Sequence, residues 1–309
     1  MAYYRRRRGG YSYRRRRNPK VILKIIGVLL IVAVCAVAAI QTKRLWDADA
    51  ALAKLQGQTT DAQAASGSGQ ATGGKTGSKA LKYQTLYPEM KADNTGAFEE
   101  GNAKAVYLTF DDGPSSNTEE ILDALAERDQ KATFFVVGKN IEGREDTLQR
   151  IVDEGHTLGI HGYSHEYNKI YSSVEAFLED FHEAYQAVYD ACGVYPTVFR
   201  FPGGSVNAYN RDVYQAIIAE MIRRGFVYYD WNVSGGDATG DDLSASEICE
   251  NVVDGVSDTE HPIVLLHDAS NKDATAEAVG DIVDQLLDVG RYCDKLTPNI
   301  QPVTFSYSE

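Results

Sequence analysis

The sequence predicts an α/β fold built on a parallel, barrel-type sheet and preceded by a single N-terminal transmembrane helix. Three observations predict it. From about residue 103, short apolar runs alternate with amphipathic helical segments. Ionisable residues stand at the ends of successive apolar runs, and a twenty-residue apolar stretch separates a basic head from an acidic body.

The head comes first. Residues 1–44 hold twelve Lys or Arg, eight of them Arg between Arg5 and Arg17, and no acid. Removing these from the 31 basic residues leaves 19 against 44 acidic ones, a net charge of −25 on residues 45–309 beneath an overall −13. Head and body therefore belong to different surroundings. Between them, residues 21–40 read VILKIIGVLLIVAVCAVAAI, interrupted only by Lys24. At about 1.5 Å per residue this covers roughly 30 Å, the thickness of a bilayer's hydrocarbon layer. Lys24 lies one turn inside, where its stem reaches the headgroups. The basic tail, 1–20, stays cytoplasmic by the positive-inside rule, which places the C-terminal body outside as a single-pass cell-membrane protein. A cleavable signal peptide is the rival, since Ala36-Val37-Ala38 resembles a cleavage site. The apolar run, however, exceeds the roughly 7–15 residues of a signal core. Val34 before Cys35 argues against a lipoprotein site. Clustered Arg also suits nucleic acid, but beside a membrane span it reads as an orientation signal that attracts anionic lipid.

Residues 41–102 form an extracytoplasmic linker and lead-in. Within it 57–79, GQTTDAQAASGSGQATGGKTGSK, has no large apolar residue and reads as a flexible tether. Tyr83, Leu86, Tyr87 and Phe98 then suggest a segment that packs on the domain.

The domain, 103–309, follows. Residues 105–110 (AVYLTF), 132–137 (ATFFVV), 157–160, 197–201 (TVFRF), 226–230 (FVYYD) and 263–267 (IVLLH) read as buried strands. Segments 118–128, 145–154, 173–191, 210–223, 246–256 and 275–289 carry helical spacing. Strand–helix alternation implies right-handed crossovers and a mainly parallel sheet. Six or seven such units in about 200 residues suit a closed or nearly closed barrel, although spacing alone leaves an open sheet possible. Cys192, Cys249 and Cys293 show no zinc spacing; one disulfide plus a thiol, or three buried thiols, are both open.

In parallel barrels chemistry gathers at the C-terminal strand ends. Here Asp111 and Asp112 follow the first strand, and His161 and His165 follow the third. Arg200 lies in the fourth strand, Asp230 ends the fifth and His267 ends the sixth. Each has an ordinary explanation singly: turn chemistry for DDGP, an incidental His pair, a satisfied core histidine. Seven together exceed what packing explains. Adjacent carboxylates repel, and a divalent cation or an Arg relieves the repulsion. His161 and His165 at i, i+4 share a face if their segment is helical, and could grip one ion. Asp112 completes two His and one carboxylate, leaving coordination positions open as in a catalytic site. Such ligands suit Zn2+, with Co2+, Ni2+ or Mn2+ as neighbours. An unpaired guanidinium in an apolar strand would be costly, and Asp111 satisfies Arg200. His267 reads as a general acid whose pKa a carboxylate such as Asp230 raises. His156, His182 and His261 carry no assigned role.

The set resembles the polysaccharide deacetylases of carbohydrate esterase family 4. Five motifs match in order: TFDDGP (109–114), HGYSH (161–165), RFPGG (200–204), DWN (230–232) and LLHD (265–268). The resemblance implies a distorted (β/α)7-type barrel and hydrolysis of N-acetyl groups on a cell-surface polysaccharide. It implies Asp111 as base and Asp112, His161 and His165 as metal ligands. His267 would be the acid tuned by Asp230, with Arg200 orienting Asp111. The Gly203 N–H would meet the oxyanion, and Trp231 and Leu265 would line the acetyl pocket. Many relatives carry an aromatic residue after the proline of the third motif; this chain has Gly203-Gly204, so its sugar platform lacks that ring. Anchoring beside the membrane favours peptidoglycan N-acetylglucosamine or N-acetylmuramic acid as substrate. The rivals are an O-acetyl, xylan-type esterase and a catalytically dead wall-binding protein, the latter disfavoured because no ligand is missing. Neither a nucleic acid nor a protein partner is expected.

Overall fold

The computed structural model describes residues 81–306, apart from 95 and 241. The expected tail, span and tether lie outside the described residues. Among the described residues no helix is long and apolar enough to cross a membrane.

Among the described residues eight strands, all parallel, form one sheet: β1 (Ala105–Asp111), β2 (Thr133–Val136), β3 (Thr157–Ile160), β4 (Val198–Phe199), β5 (Val227–Tyr228), β6 (Val233–Ser234), β7 (Ile263–His267) and β8 (Tyr292–Cys293). Their order is β5-β4-β3-β2-β1-β7-β6, with β8 pairing the start of β1. The sheet is a half-barrel with two edges, where the spacing suggests a closed or nearly closed barrel and leaves an open sheet possible. Yet β5 and β6, at opposite edges, are joined by only four residues. That connection spans at most about 18 Å, so the sheet must curl until its edges face each other. The C-terminal segment fills the gap: Asp230 N–H donates to the Val303 carbonyl at 2.9 Å, and Phe305 N–H donates to the Asp230 carboxylate at 2.6 Å.

All seven residues of β1 are buried, as a central parallel strand covered on both faces requires. Side chains alternate between the faces. Val106, Leu108 and Phe110 pack outward with Ile121, Leu125, Val279 and Val283 of the flanking helices. Tyr107 faces inward with Phe135, Val198 and Tyr229. Thr109 and Asp111 continue that inward row, so the alternation that builds the core also delivers a carboxylate to the mouth of the sheet.

The helices are α1 (Ser116–Ala126), α2 (Glu145–Asp153), the single turn α3 (Tyr167–Ile170), α4 (Val174–Cys192), α5 (Tyr214–Arg223), α6 (Ala245–Ser257) and α7 (Asp273–Asp288). Side-chain oxygens of Ser115, Ser173 and Ser244 cap α1, α4 and α6. Helix α5 starts four residues later than the spacing suggested. Asn207 and Asn210 divert the backbone: Asn207 Oδ1 accepts from the N–H groups of Tyr209 and Asn210, and Asn210 Oδ1 accepts from Asn207 N–H. Cys192, Cys249 and Cys293 are free thiols. Before β1, the buried Arg224 donates to the carbonyls of Tyr83, Leu86, Tyr87 and Met90, fastening the lead-in to α5.

Candidate active site

Asp112, His161 and His165 offer ligand atoms that all lie within 4.8 Å of one another. Asp112 Oδ1 is 3.7 Å from His161 Nε2 and 3.2 Å from His165 Nε2. It is also buried with no hydrogen-bond donor. A buried carboxylate oxygen without a donor is costly, and a shared cation satisfies it. His161 Nδ1 lies 2.9 Å from the Arg200 carbonyl, which fixes the ring and leaves Nε2 as the lone-pair nitrogen. Burial, then the neighbouring His161, lower the pKa of His165 and favour the neutral, ligating imidazole. The residues present fit a divalent cation.

The HGYSH segment is not helical. It is a loop in which Gly162 has φ +79° and His165 has φ +56°. Asp112, at φ +78°, shares the left-handed region that L-residues seldom occupy, so two of the three candidate ligands sit in strained backbone. The loop is clamped by Asp180 of α4, whose carboxylate accepts from the N–H groups of Tyr163 and Ser164 at 2.7 and 2.9 Å. Asp180 was invisible to sequence reading because an acid in an amphipathic helix passes for a solvated one.

Arg200 is buried and donates four hydrogen bonds. Its Nη1 donates to Asp111 Oδ1 at 2.9 Å and to Thr109 Oγ1 at 2.6 Å, while Nε and Nη2 donate to the carbonyls of Tyr229 and Asp230. Asp111 therefore has one oxygen tied to Arg200 and its other, Oδ2, 3.7 Å from His161 Nε2.

His267 does not pair with Asp230. Its Nδ1 lies 2.9 Å from Asp237 Oδ1, and its backbone N–H donates to Asp237 Oδ2 at 2.8 Å. Burial opposes a charged imidazole here, but the hydrogen bond and charge of Asp237, aided by Asp111 and Asp112, raise the His267 pKa. The same pairing depresses Asp237 against its burial. Asp230 is engaged elsewhere. Its oxygens accept from Ser205 N–H at 2.8 Å, Ser205 Oγ–H at 2.5 Å and Phe305 N–H at 2.6 Å. Burial raises its pKa. Asp237 escaped sequence reading because β6, two residues long, is too short to register as a strand, and an acid just past an unseen strand has no marked position.

Gly203 and Gly204 both have positive φ, +76° and +85°. The Gly203 N–H has no acceptor among the described residues. Trp231 lies against the Phe305 ring at 4.8 Å and the Arg200 guanidinium at 5.6 Å. Leu265 is in register with Thr109, on the row that ends at His267. Asp268, absent from the sequence reading as a site residue, ties the first and last motifs together. Its N–H donates to the Asp111 carbonyl at 3.0 Å, and its carboxylate accepts from Thr118 Oγ1 at 2.6 Å. Burial pushes it up to about 7.

Comparison with known proteins gives a consistent picture. A family model described as polysaccharide deacetylase matches residues 99–221. The chain is similar to the crystal structure of the catalytic domain of a peptidoglycan N-acetylglucosamine deacetylase from Eubacterium rectale. Identity is 32%, the TM-score is 0.65, and the match covers 70% of this chain and 99% of that one. It is 28% identical to a peptidoglycan-N-acetylglucosamine deacetylase of Bacillus cereus over 58% of this chain and 65% of that protein. It is 33% identical to chitin deacetylase 1 of Cryptococcus neoformans over 60% of this chain and 41% of that protein. The match thus spans less than two thirds of each of these two full-length relatives.

Proposed function

Because the chain belongs to the polysaccharide deacetylase family, carbohydrate esterase family 4, we propose that it hydrolyses N-acetyl groups of peptidoglycan sugars, N-acetylglucosamine or N-acetylmuramic acid, from a membrane anchor at residues 21–40. One observation carries the reading. The donor-free Asp112 Oδ1 and two imidazole nitrogens converge beside a second carboxylate held by Arg200 and a third imidazole held by Asp237.

Asp112, His161 and His165 would hold a divalent cation, with zinc the best fit to two imidazoles and a carboxylate. When bound, such an ion supplies Lewis acidity toward the acetyl carbonyl and the attacking water. The remaining work falls to this chain's own residues. Asp111, oriented through Arg200, accepts the proton of the attacking water on its second oxygen. The unpartnered Gly203 N–H donates to the carbonyl oxygen as it gains charge. His267 presents Nε2, because Nδ1 faces Asp237, and delivers a proton to the departing nitrogen. An amine cannot leave as its anion at neutral pH, whereas an alkoxide needs less help. A histidine held protonated by a buried carboxylate therefore favours amide over ester substrates.

The test is acetate release from purified peptidoglycan by the full-length protein, with chelation, metal add-back and identification of the free-amine sugar. Release that stops with chelator and returns with zinc is expected. A metal-replete protein that frees no acetate, or a rate indifferent to chelation, would overturn the reading.

A further inference from the structure

The ring missing after Pro202 is supplied from elsewhere in the chain. A side chain grown from Gly203 would meet the Tyr167 ring, with its Cε1 at 3.1 Å and its hydroxyl at 3.3 Å from the added carbon. Tyr167, in the single-turn α3 just past HGYSH, thus covers the space beside Gly203. Its ring centroid is 5.2 Å from that of His165. Tyr209 stacks nearly parallel to Tyr167, with centroids 5.1 Å apart and planes inclined by 15°. Among the described residues neither phenol hydroxyl has a hydrogen-bond partner. A run of rings therefore leads outward from the cation ligands: His165, Tyr167, Tyr209.

Tyr209 is 54% exposed. A lone surface aromatic is commonplace and by itself signifies nothing. This one differs in being held rigidly at the mouth of the site. Asn207 Nδ2 donates to the carbonyls of Pro202 and Gly204, and Asn210 Nδ2 donates to the Ser205 carbonyl at 3.0 Å. Ser205 is in turn fixed by both oxygens of Asp230. Asn207 Oδ1 accepts from the Tyr209 N–H itself at 2.8 Å. The loop that presents the ring is cross-linked to the strand end that carries Arg200, so little ordering cost remains on binding.

We propose that Tyr209, backed by Tyr167, is a sugar-stacking subsite that receives the C–H face of the pyranose adjoining the one whose acetamide is cleaved. The electron-rich ring face attracts the polarised C–H groups of a pyranose, and one face of Tyr209 is already occupied by Tyr167, leaving the other for the glycan. The proposal rests on the glycan-deacetylase reading above and extends it to a specificity residue that the family motifs do not contain.

The experiment compares Tyr209→Phe, Tyr209→Trp, Tyr209→Leu and Tyr209→Ala in the full-length protein, with the N-acetylglucosamine tetramer as probe. For Leu and Ala, KM should rise about tenfold with kcat within about twofold, and Phe and Trp should retain wild-type KM. A structural fault would instead lower kcat in step with the melting temperature. Equal KM across all four variants overturns the proposal. A KM increase in Phe equal to that in Ala also overturns it, by assigning the role to the hydroxyl. If Ala does not fold, Phe against Leu decides. If wild type frees no acetate from any glycan, the activity reading fails. Calorimetric titration with the tetramer then still tests the subsite: weaker binding by Leu than by Phe supports it, and equal binding refutes it.

Discussion

Replacing Arg200 by Met is the sharpest test of how the site is assembled. The guanidinium and the Asp111 carboxylate are 0% and 3% exposed and lie 2.9 Å apart, so solvent does not screen the pair. Met fills much of the same volume but strips Asp111 Oδ1 of its charged donor and leaves the Tyr229 and Asp230 carbonyls without theirs. Breaking one side of a buried ion pair costs about 3–5 kcal/mol, chiefly from the charge left behind. For a domain of this size that corresponds to a fall in melting temperature on the order of 10 °C. Adding Asp111→Leu removes the stranded charge and should recover at least about 2 kcal/mol, because the two side chains form one interaction unit. Urea unfolding of the wild type, both single variants and the double variant, followed by far-ultraviolet circular dichroism, gives the cycle. A loss below about 1 kcal/mol for Arg200→Met, or strict additivity in the double variant, would show that Arg200 does not neutralise Asp111.

The remaining expectations address the cluster, the acid and one remote histidine. Asp112→Ala and His165→Ala should lose bound metal by elemental analysis, whereas Asp111→Asn should keep it while acetate release falls about a hundredfold or more. In Asp237→Asn the charge that raises the His267 pKa is gone, so the alkaline limb of the pH–rate profile should move to lower pH; an unmoved limb would exclude His267 as the acid. Asp230→Asn should leave that limb in place and disturb the 203–210 loop instead, seen as weaker oligosaccharide binding. His156 is buried, accepts a hydrogen bond from Ala132 N–H, and is pushed down to about 4, first by burial and then by Lys131. Since the unfolded chain binds this proton more readily, stability should decline as pH falls from about 6.5 to about 4, by about 3 kcal/mol. Acid unfolding of His156→Leu should lack that component.

The fold class and most of the site were readable because both depend on contrast. A carboxylate pair or an imidazole that ends a run such as AVYLTF or IVLLH stands out against its apolar neighbours. Parallel strands place such residues at one end of the sheet. Contrast disappears where elements are short. β4, β5, β6 and β8 are two residues each, so the runs 197–201 and 226–230 overstate their strands, and β6 and β8 leave no run in the sequence. The i, i+4 spacing of His161 and His165 suggested a helical face, but Gly162 at positive φ and the Asp180 clamp produce the convergence in a loop. The spacing therefore picked out residues that the structure does bring together, but in a loop and not on a helical face. Curvature, too, is not encoded locally: the gap between the sheet's two edges is filled by Val303 and Phe305, some seventy residues beyond Asp230, which they bond.

The exchange of roles between Asp230 and Asp237 follows from how many donors each carboxylate meets. A buried carboxylate has about four acceptor positions, and each neighbour that fills one reduces its capacity to stabilise another charge. Asp230 receives three hydrogen bonds from neutral groups, and burial raises its pKa despite them. It is spent on geometry: it fixes the Gly203–Asn210 loop and the C-terminal segment, while its carbonyl accepts from Arg200. Asp237 also takes a neutral bond from Thr275, yet its pKa is lowered, because an imidazole that can carry charge lies against its first oxygen. A carboxylate held ionised favours the protonated form of His267, the form that its proposed role as the acid requires. The acid of the DWN motif thus holds the 203–210 loop and the C-terminal segment, and the acid just past an inconspicuous two-residue strand raises the proton affinity of His267, on which its proposed role as the acid depends.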